Sequence, residues 1–175
     1  MEKYIPDIYK KNIYEINYEK LKEIGIKCLL FDLDNTIVPF SEKIPTEETK
    51  QLFKNLIDIG FKVIIFSNSP KLRVKPIGEI LNVDVFGSAK KPCQKSFNKV
   101  LKLYKFEENE VAIIGDQMLT DIAGGNKAGI TTILITPIEP KDPFWTKPNR
   151  IKERRIMHKL RDKNLFSKGR YYEKM

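Results

Sequence analysis

Histidine occurs once in the 175 residues, at His158, and cysteine twice, at Cys28 and Cys93. One imidazole, placed in a basic stretch, leaves histidine-based zinc sites and Ser-His-Asp triads almost nothing to work with. Two cysteines far apart in the chain argue against a disulfide scaffold and fit a reducing compartment; Cys28 lies in an apolar run and reads as a small buried hydrophobe. Long hydrophobic runs are also missing. No stretch approaches the roughly 18 to 20 apolar residues of a membrane span. Met1-Glu2-Lys3-Tyr4 has no apolar run behind it, which speaks against a secretory signal. No repeat or low-complexity tract appears. The expectation is a cytoplasmic protein with no transmembrane segment. A hydrophobic fraction of 41% suits a globular chain, and the length suffices for one full core.

Positive charge is plentiful but unevenly placed. Up to Ile138 there are 20 Lys and Arg against 18 Asp and Glu; from Glu139 onward there are 12 against 5. A near-neutral body, residues 1–140 with an N-terminal segment 1–25 packing on it, is therefore expected to carry a basic helical tail, residues 141–175. Such a tail predicts an anionic partner, either a phospholipid surface or nucleic acid.

Strand and helix patterns alternate along the body. Apolar runs at 27–32, 61–66, 83–86, 111–114 and 131–135 read as strands. Helices are expected near 46–59, where Thr46-Glu47-Glu48 supplies a cap and acids and Gly60 a stop, and near 72–81, 92–104 and 120–128. This order predicts an α/β, Rossmann-like doubly wound sheet of mainly parallel strands with helices on both faces. Ligands in such sheets bind at the carboxyl ends of strands. Every chemically suggestive cluster falls there: Asp32 and Asp34 after the first strand, Ser67-Asn68 after the second, Lys91-Pro92 beyond the third, Gly115-Asp116 and then Asp121 after the fourth. Taken singly, each is ordinary turn or helix-start chemistry. Together they crowd acids at one edge, an arrangement that a divalent cation would stabilise.

These residues resemble the motifs of haloacid dehalogenase-type (HAD) phosphatases. Asp32-Leu33-Asp34-Asn35-Thr36 matches the Asp-x-Asp-x-Thr motif, Ser67 the hydroxyl that ends a strand, Lys91 the lysine, and Asp116 with Asp121 the acidic pair. The resemblance spans about Ile26 to Pro137. Asp32–Val38 and Gly115–Asn126 are more narrowly similar to the bacterial YqeG group, which is related to mitochondrial phosphatidylglycerophosphate phosphatases. Ser67-Asn68-Ser69 departs from the expected Ser-Asn-Asn at its third residue only.

The resemblance implies a phosphomonoester hydrolase. Asp32 would be the nucleophile and form an aspartyl-phosphate; Asp34 would serve as acid and then base. Mg²⁺ would sit between Asp32, the backbone carbonyl of Asp34, and Asp116. Ser67, Asn68 and Lys91 would bind the phosphoryl group. Thr36 would fix the loop by hydrogen bonds, and Asp121 would orient Lys91 or a metal-bound water. The gaps from Thr36 to Phe61 and from Ser69 to Lys91 leave no room for a cap domain. An open site is thus expected, suited to a phosphate on something large: a lipid head group such as that of phosphatidylglycerophosphate at the inner face of the membrane, a nucleic-acid end or a phosphoprotein. A non-catalytic binding protein on the same scaffold is the reading from a different class. The tail, with Pro148 as a helix start and Ile156, Met157 and Leu160 on one face, is either a peripheral anchor or a helix packed on the body.

Overall fold

A computed structural model describes residues 1–139 and 147–174. Phe144 and Trp145, upstream of the basic helix, lie outside the described residues. Among them, seven strands form one sheet: β1 (Ile8–Lys10), β2 (Cys28–Phe31), β3 (Lys62–Phe66), β4 (Asp84–Phe86), β5 (Val111–Gly115), β6 (Thr131–Ile135) and β7 (Tyr172–Glu173), in the order β4-β3-β2-β5-β6-β1-β7. All neighbours pair in parallel except β7, which runs antiparallel to β1. The helices are α1 (Tyr18–Glu23), α2 (Glu47–Asp58), α3 (Lys71–Leu81), α4 (Gln94–Tyr104), α5 (Ala123–Ala128) and α6 (Lys147–Asp162). This is the Rossmann-like α/β architecture expected.

The two-residue period of the strands sorts their side chains onto two cores. Leu29 and Phe31 point with Val63, Ile65, Ala112 and Ile114 toward Phe53 and Leu56 of α2 and Val74 and Ile77 of α3. Cys28 and Leu30 point the other way, with Ile64, Phe66, Val111 and Ile113, onto Phe97, Val100 and Leu101 of α4 and Ala128 of α5. Both faces are covered, so the central strands are apolar on both sides. Local signals set the helix ends. The Thr46 hydroxyl accepts a hydrogen bond from Thr49 N (3.2 Å), and Gly60, at φ +103°, turns the chain out of α2.

Several features depart from the expectation. The N-terminal segment contributes a strand, β1, beside β6, and the basic stretch contributes both α6 and the edge strand β7. Three- and two-residue strands are too short to show alternation. The helix expected from Thr120 opens instead as a wide, π-type turn over Met118–Ile122 before α5 begins. α6 itself follows one of the two readings of the tail, a helix packed on the body. Its Ile156 and Leu160 join Phe166, Tyr9, Met118, Ile122 and Leu134 in a third apolar cluster. Among the described residues, no helix is long and apolar enough to cross a membrane.

Candidate active site

The β2 ladder continues one residue beyond the strand, where Asp32 N donates to Ile114 O (2.8 Å). Asp32 is thereby fixed at the mouth of the sheet. The chain then doubles back through Asn35, whose φ of +62° suits asparagine better than a branched residue, and Asn35 N donates to Val38 O (2.8 Å). That reversal sets Asp34 beside Asp32. Ser67 follows β3; its carbonyl accepts from Ala89 N, and its own N–H donates to Phe86 O. These bonds tie the β3 and β4 loops together. Asn68, expected to bind phosphate, lines the cavity and clamps the Lys91 backbone: Oδ1 accepts from Lys91 N (2.6 Å) and Nδ2 donates to Lys91 O (3.0 Å).

Lys91 is thus aimed into the cluster. Its ammonium lies 2.7 Å from Asp32 Oδ1 and 2.6 Å from Asp121 Oδ1, with all three residues buried. The other oxygen of Asp121 accepts from Gln117 N (3.1 Å), so Asp121 braces both the lysine and its own turn. The wide turn of Met118–Ile122 brings Asp121 back over the end of β5. A Cβ at Gly115 would meet the Asp121 carboxyl carbon at 2.3 Å. Only glycine fits there, which accounts for the Gly-Asp pair.

Asp32, Asp116 and Asp121 each present a ligand oxygen within 4.8 Å of the others. The donor set is all oxygen and anionic, which fits a hard divalent cation such as Mg²⁺. One atom adds to the fit. Asp116 Oδ1 is buried and has no hydrogen-bond partner among the described residues, a condition that a bound cation would relieve. The carboxylate of Asp34 lies outside this triad. Ser69 Oγ donates to its Oδ2 (2.5 Å), and Arg73 Nε donates to its Oδ1 (2.7 Å). Ser69 and Arg73 carried no role in the sequence; Arg73 stands in the first turn of α3, close to the Ser67 loop, and that proximity was the available signal. The hydroxyl of Thr36, expected to fix the loop, is buried without a hydrogen-bond partner among the described residues.

The largest surprise is Arg150. From the first turns of α6 its guanidinium reaches Asp116 Oδ2 (2.6 Å) and Glu153 Oε2 (2.9 Å). Buried Glu153 in turn accepts from Leu119 N (3.2 Å), in the wide turn that carries Asp121. Asn149 lines the cavity at the strand edge together with Asp32, Asp34, Ser67, Arg73 and Lys91; its volume is about 320 Å³. The expected open site therefore has one wall built by the tail.

Burial dominates the electrostatics. It pushes the Asp32 carboxyl up to about 7; Lys91 opposes this, and the Asp121 and Asp34 charges reinforce it. Asp116 is likewise held well above the usual carboxylate range by burial, against the pull of Arg150. Burial alone would lower the Lys91 ammonium, but the facing Asp121 and Asp32 carboxylates outweigh it and hold it above its ordinary value. Three crowded acids and one lysine are short of positive charge, as a cation site should be.

Comparisons with known proteins point to one family. The family model for haloacid dehalogenase-like hydrolases matches residues 39–129, beginning just after the Asp32–Thr36 motif. A Bacillus subtilis (strain 168) protein named probable phosphatase YqeG is 39% identical over 160 residues, covering 91% of this chain and 93% of the relative. The chain belongs to the haloacid dehalogenase-like hydrolases. It is an enzyme of the phosphatase kind within that family. An Arabidopsis thaliana protein named phosphatidylglycerophosphate phosphatase 1 is 26% identical over 92% of this chain, which spans 49% of that protein's length. In fold, the haloacid dehalogenase-like body also resembles a D,D-heptose bisphosphate phosphatase from B. bronchiseptica solved with magnesium and phosphate. Its TM-score is 0.53 at 17% identity, over 62% of this chain and 80% of that one.

Proposed function

We propose that this enzyme hydrolyses a phosphomonoester displayed on an anionic lipid head group, with phosphatidylglycerophosphate as the substrate of choice, and that it works through an aspartyl-phosphate on Asp32 with Mg²⁺. The observation that carries the chemistry is the buried triad Asp32–Asp116–Asp121 with Lys91 across two of its members and one Asp116 oxygen unpartnered. The similarity to the plant protein favours the lipid, as does the basic face of α6 beside the site.

Asp32 would attack phosphorus, forming an O–P bond as the ester P–O bond breaks. Asp34 would give a proton to the departing ester oxygen and later take one from the water that cleaves the acyl phosphate. Arg73 and Ser69 would hold its carboxylate in place for both steps. The Ser67 hydroxyl accepts from Ser69 N (3.1 Å), which leaves its proton free to be donated to a phosphoryl oxygen. Lys91, fixed by Asp121 and by the Asn68 clamp, would face the negative charge that spreads over the transferring group. Asp32, the backbone carbonyl of Asp34 and Asp116 would hold the Mg²⁺, with the Asp121 carboxylate beside them. When bound, that ion screens the anionic nucleophile from the anionic phosphate. Arg150 would keep Asp116 turned so that Oδ1 remains open to it.

The test is phosphate release from phosphatidylglycerophosphate in mixed micelles with Mg²⁺, comparing wild type with Asp32→Asn. Release by the wild type and none by the variant is expected. Turnover by the variant would overturn the role of Asp32. A wild type that cleaves an aryl phosphate but not the lipid would move the substrate to another carrier.

A further inference from the structure

A second concave surface lies on the outer side of α6. It encloses about 750 Å³ and is lined by Pro137, Met157, Arg154, Arg161 and Lys168, with Arg150 at one wall. Three of these cations are exposed; the wall also carries two carboxylates, Glu139, whose side chain accepts from Ser41 Oγ (3.3 Å), and Glu153. Among the described residues Arg154 and Lys168 make no ion pair, and Arg161 meets only the adjacent Asp162 at 3.8 Å. Glu153, also on the wall, is already engaged by Arg150 and Leu119 N. Four Arg and Lys side chains against two carboxylates leave this partly apolar hollow with an excess of positive charge, suited to an anion with a greasy neighbour.

Adjacent residues of α6 line the two hollows, Asn149 the catalytic cavity and Arg150 the outer one. The Arg150 guanidinium also grips Asp116 in the acid triad. A molecule occupying both places would carry two phosphates: a terminal monoester at Asp32 and a second anion on the far side of Arg150. Ile138, between the lining residues Pro137 and Glu139, and Ile151 and Leu165, on α6 and just beyond it, are exposed apolar side chains. Charge and greasiness together favour a lipid head group over a nucleic-acid strand, whose successive phosphates would need a longer basic track.

We propose that the groove formed by Arg154, Arg161 and Lys168 binds the phosphodiester of an anionic lipid whose terminal phosphomonoester lies in the Asp32 cavity. The inference rests on the lipid-phosphatase reading above and names the groups that would select that substrate. It separates two kinds of basic residue on α6 and just beyond it: Arg150 serves the catalytic acids, and Arg154, Arg161 and Lys168 serve the remainder of the substrate.

The experiment compares the full chain with Arg154→Ala, Arg161→Ala and Lys168→Ala, singly and together, and with Lys127→Ala on α5 as an exposed control. Each is assayed on phosphatidylglycerophosphate in micelles and on p-nitrophenyl phosphate. The expected result is a rise in KM for the lipid of about fivefold per cation removed, with little change in kcat. The ratio of lipid to aryl-phosphate kcat/KM should fall accordingly, while Lys127→Ala keeps the wild-type ratio. An unchanged ratio in the triple variant overturns the groove assignment. So does an equal loss on both substrates in variants that melt like the wild type, or a lipid activity that RNA, but not phosphatidylglycerol vesicles, suppresses. A wild type active on aryl phosphate and inert on the lipid would instead refute the parent reading.

Discussion

Asp34 and Asp116 are each gripped by one arginine, yet they are prepared for different work. Asp34 sits at the cavity with its side chain 19% exposed and both oxygens engaged, one by Ser69 and one by Arg73. Asp116 is fully buried; one oxygen is held by Arg150 and the other by nothing among the described residues. A carboxyl that must exchange protons with a leaving group and with water has to touch the cavity. A carboxyl that must hold a cation can be sealed off, provided one oxygen is reserved. The same pair of residue types thus yields two functions, set by burial and by how many lone pairs the surroundings consume.

Neutralising the two acids should break this comparison most severely. Asp116→Asn is expected to abolish both Mg²⁺ binding, measured by calorimetry, and turnover. Asp34→Asn should slow turnover by about 10²- to 10⁴-fold while Mg²⁺ affinity stays near wild type. Loss of Mg²⁺ affinity in both variants would erase the distinction drawn here. The arginines come next. Arg150→Met should weaken Mg²⁺ binding about 10- to 100-fold, as is usual when an outer partner of a metal ligand is lost. Arg73→Met should spare the calorimetric affinity and lower kcat. Truncating Leu160 probes the same link from a distance. Leu160 is fully buried, so Leu160→Ala should cost about 2–5 kcal/mol in denaturant unfolding and loosen the seat of Arg150.

The smallest effect is a pH slope. Asp32, Asp116 and Glu153 all have carboxyls raised by burial. Between the ordinary carboxylate range and the raised folded values, the native state holds more protons than the unfolded chain. Stability of the metal-free protein should therefore fall as pH rises from about 4 toward 7. Melting temperatures across that range would measure it, and Asp116→Asn should flatten the slope.

The same comparison marks where sequence reasoning reached its range. Strands β2 to β6 and helices α2 to α4 were legible from apolar runs bounded by turn and cap residues, even where, as in β4, the strand is only three residues long. Asp32, Asp34, Ser67, Lys91, Asp116 and Asp121 were legible as residues at one sheet edge, since the carboxyl ends of parallel strands converge there. Their partners were not. Arg73 and Arg150 look like any other basic residues on polar helices, and their assignment depends on how α3 and α6 seat against the sheet. Asn68 was readable as a loop residue near the phosphate, but the double bond to the Lys91 backbone depends on where the β3 and β4 loops meet. β1 and β7 were invisible for a related reason: each is defined by a partner more than a hundred positions away.

The seat of α6 also carries a consequence in time. A ribosome makes the chain from Asp32 toward Asp116 first, and the domain can begin to collapse as it emerges. Arg150, Glu153 and the apolar contacts of Leu160 come only afterward, and β7 follows them to dock against β1, which is made before the acids. The acids are synthesised before the side chain that steadies them. A nascent or prematurely terminated chain would hold every nucleophilic and acidic group of the site and still lack the part that keeps Asp116 turned toward its cation.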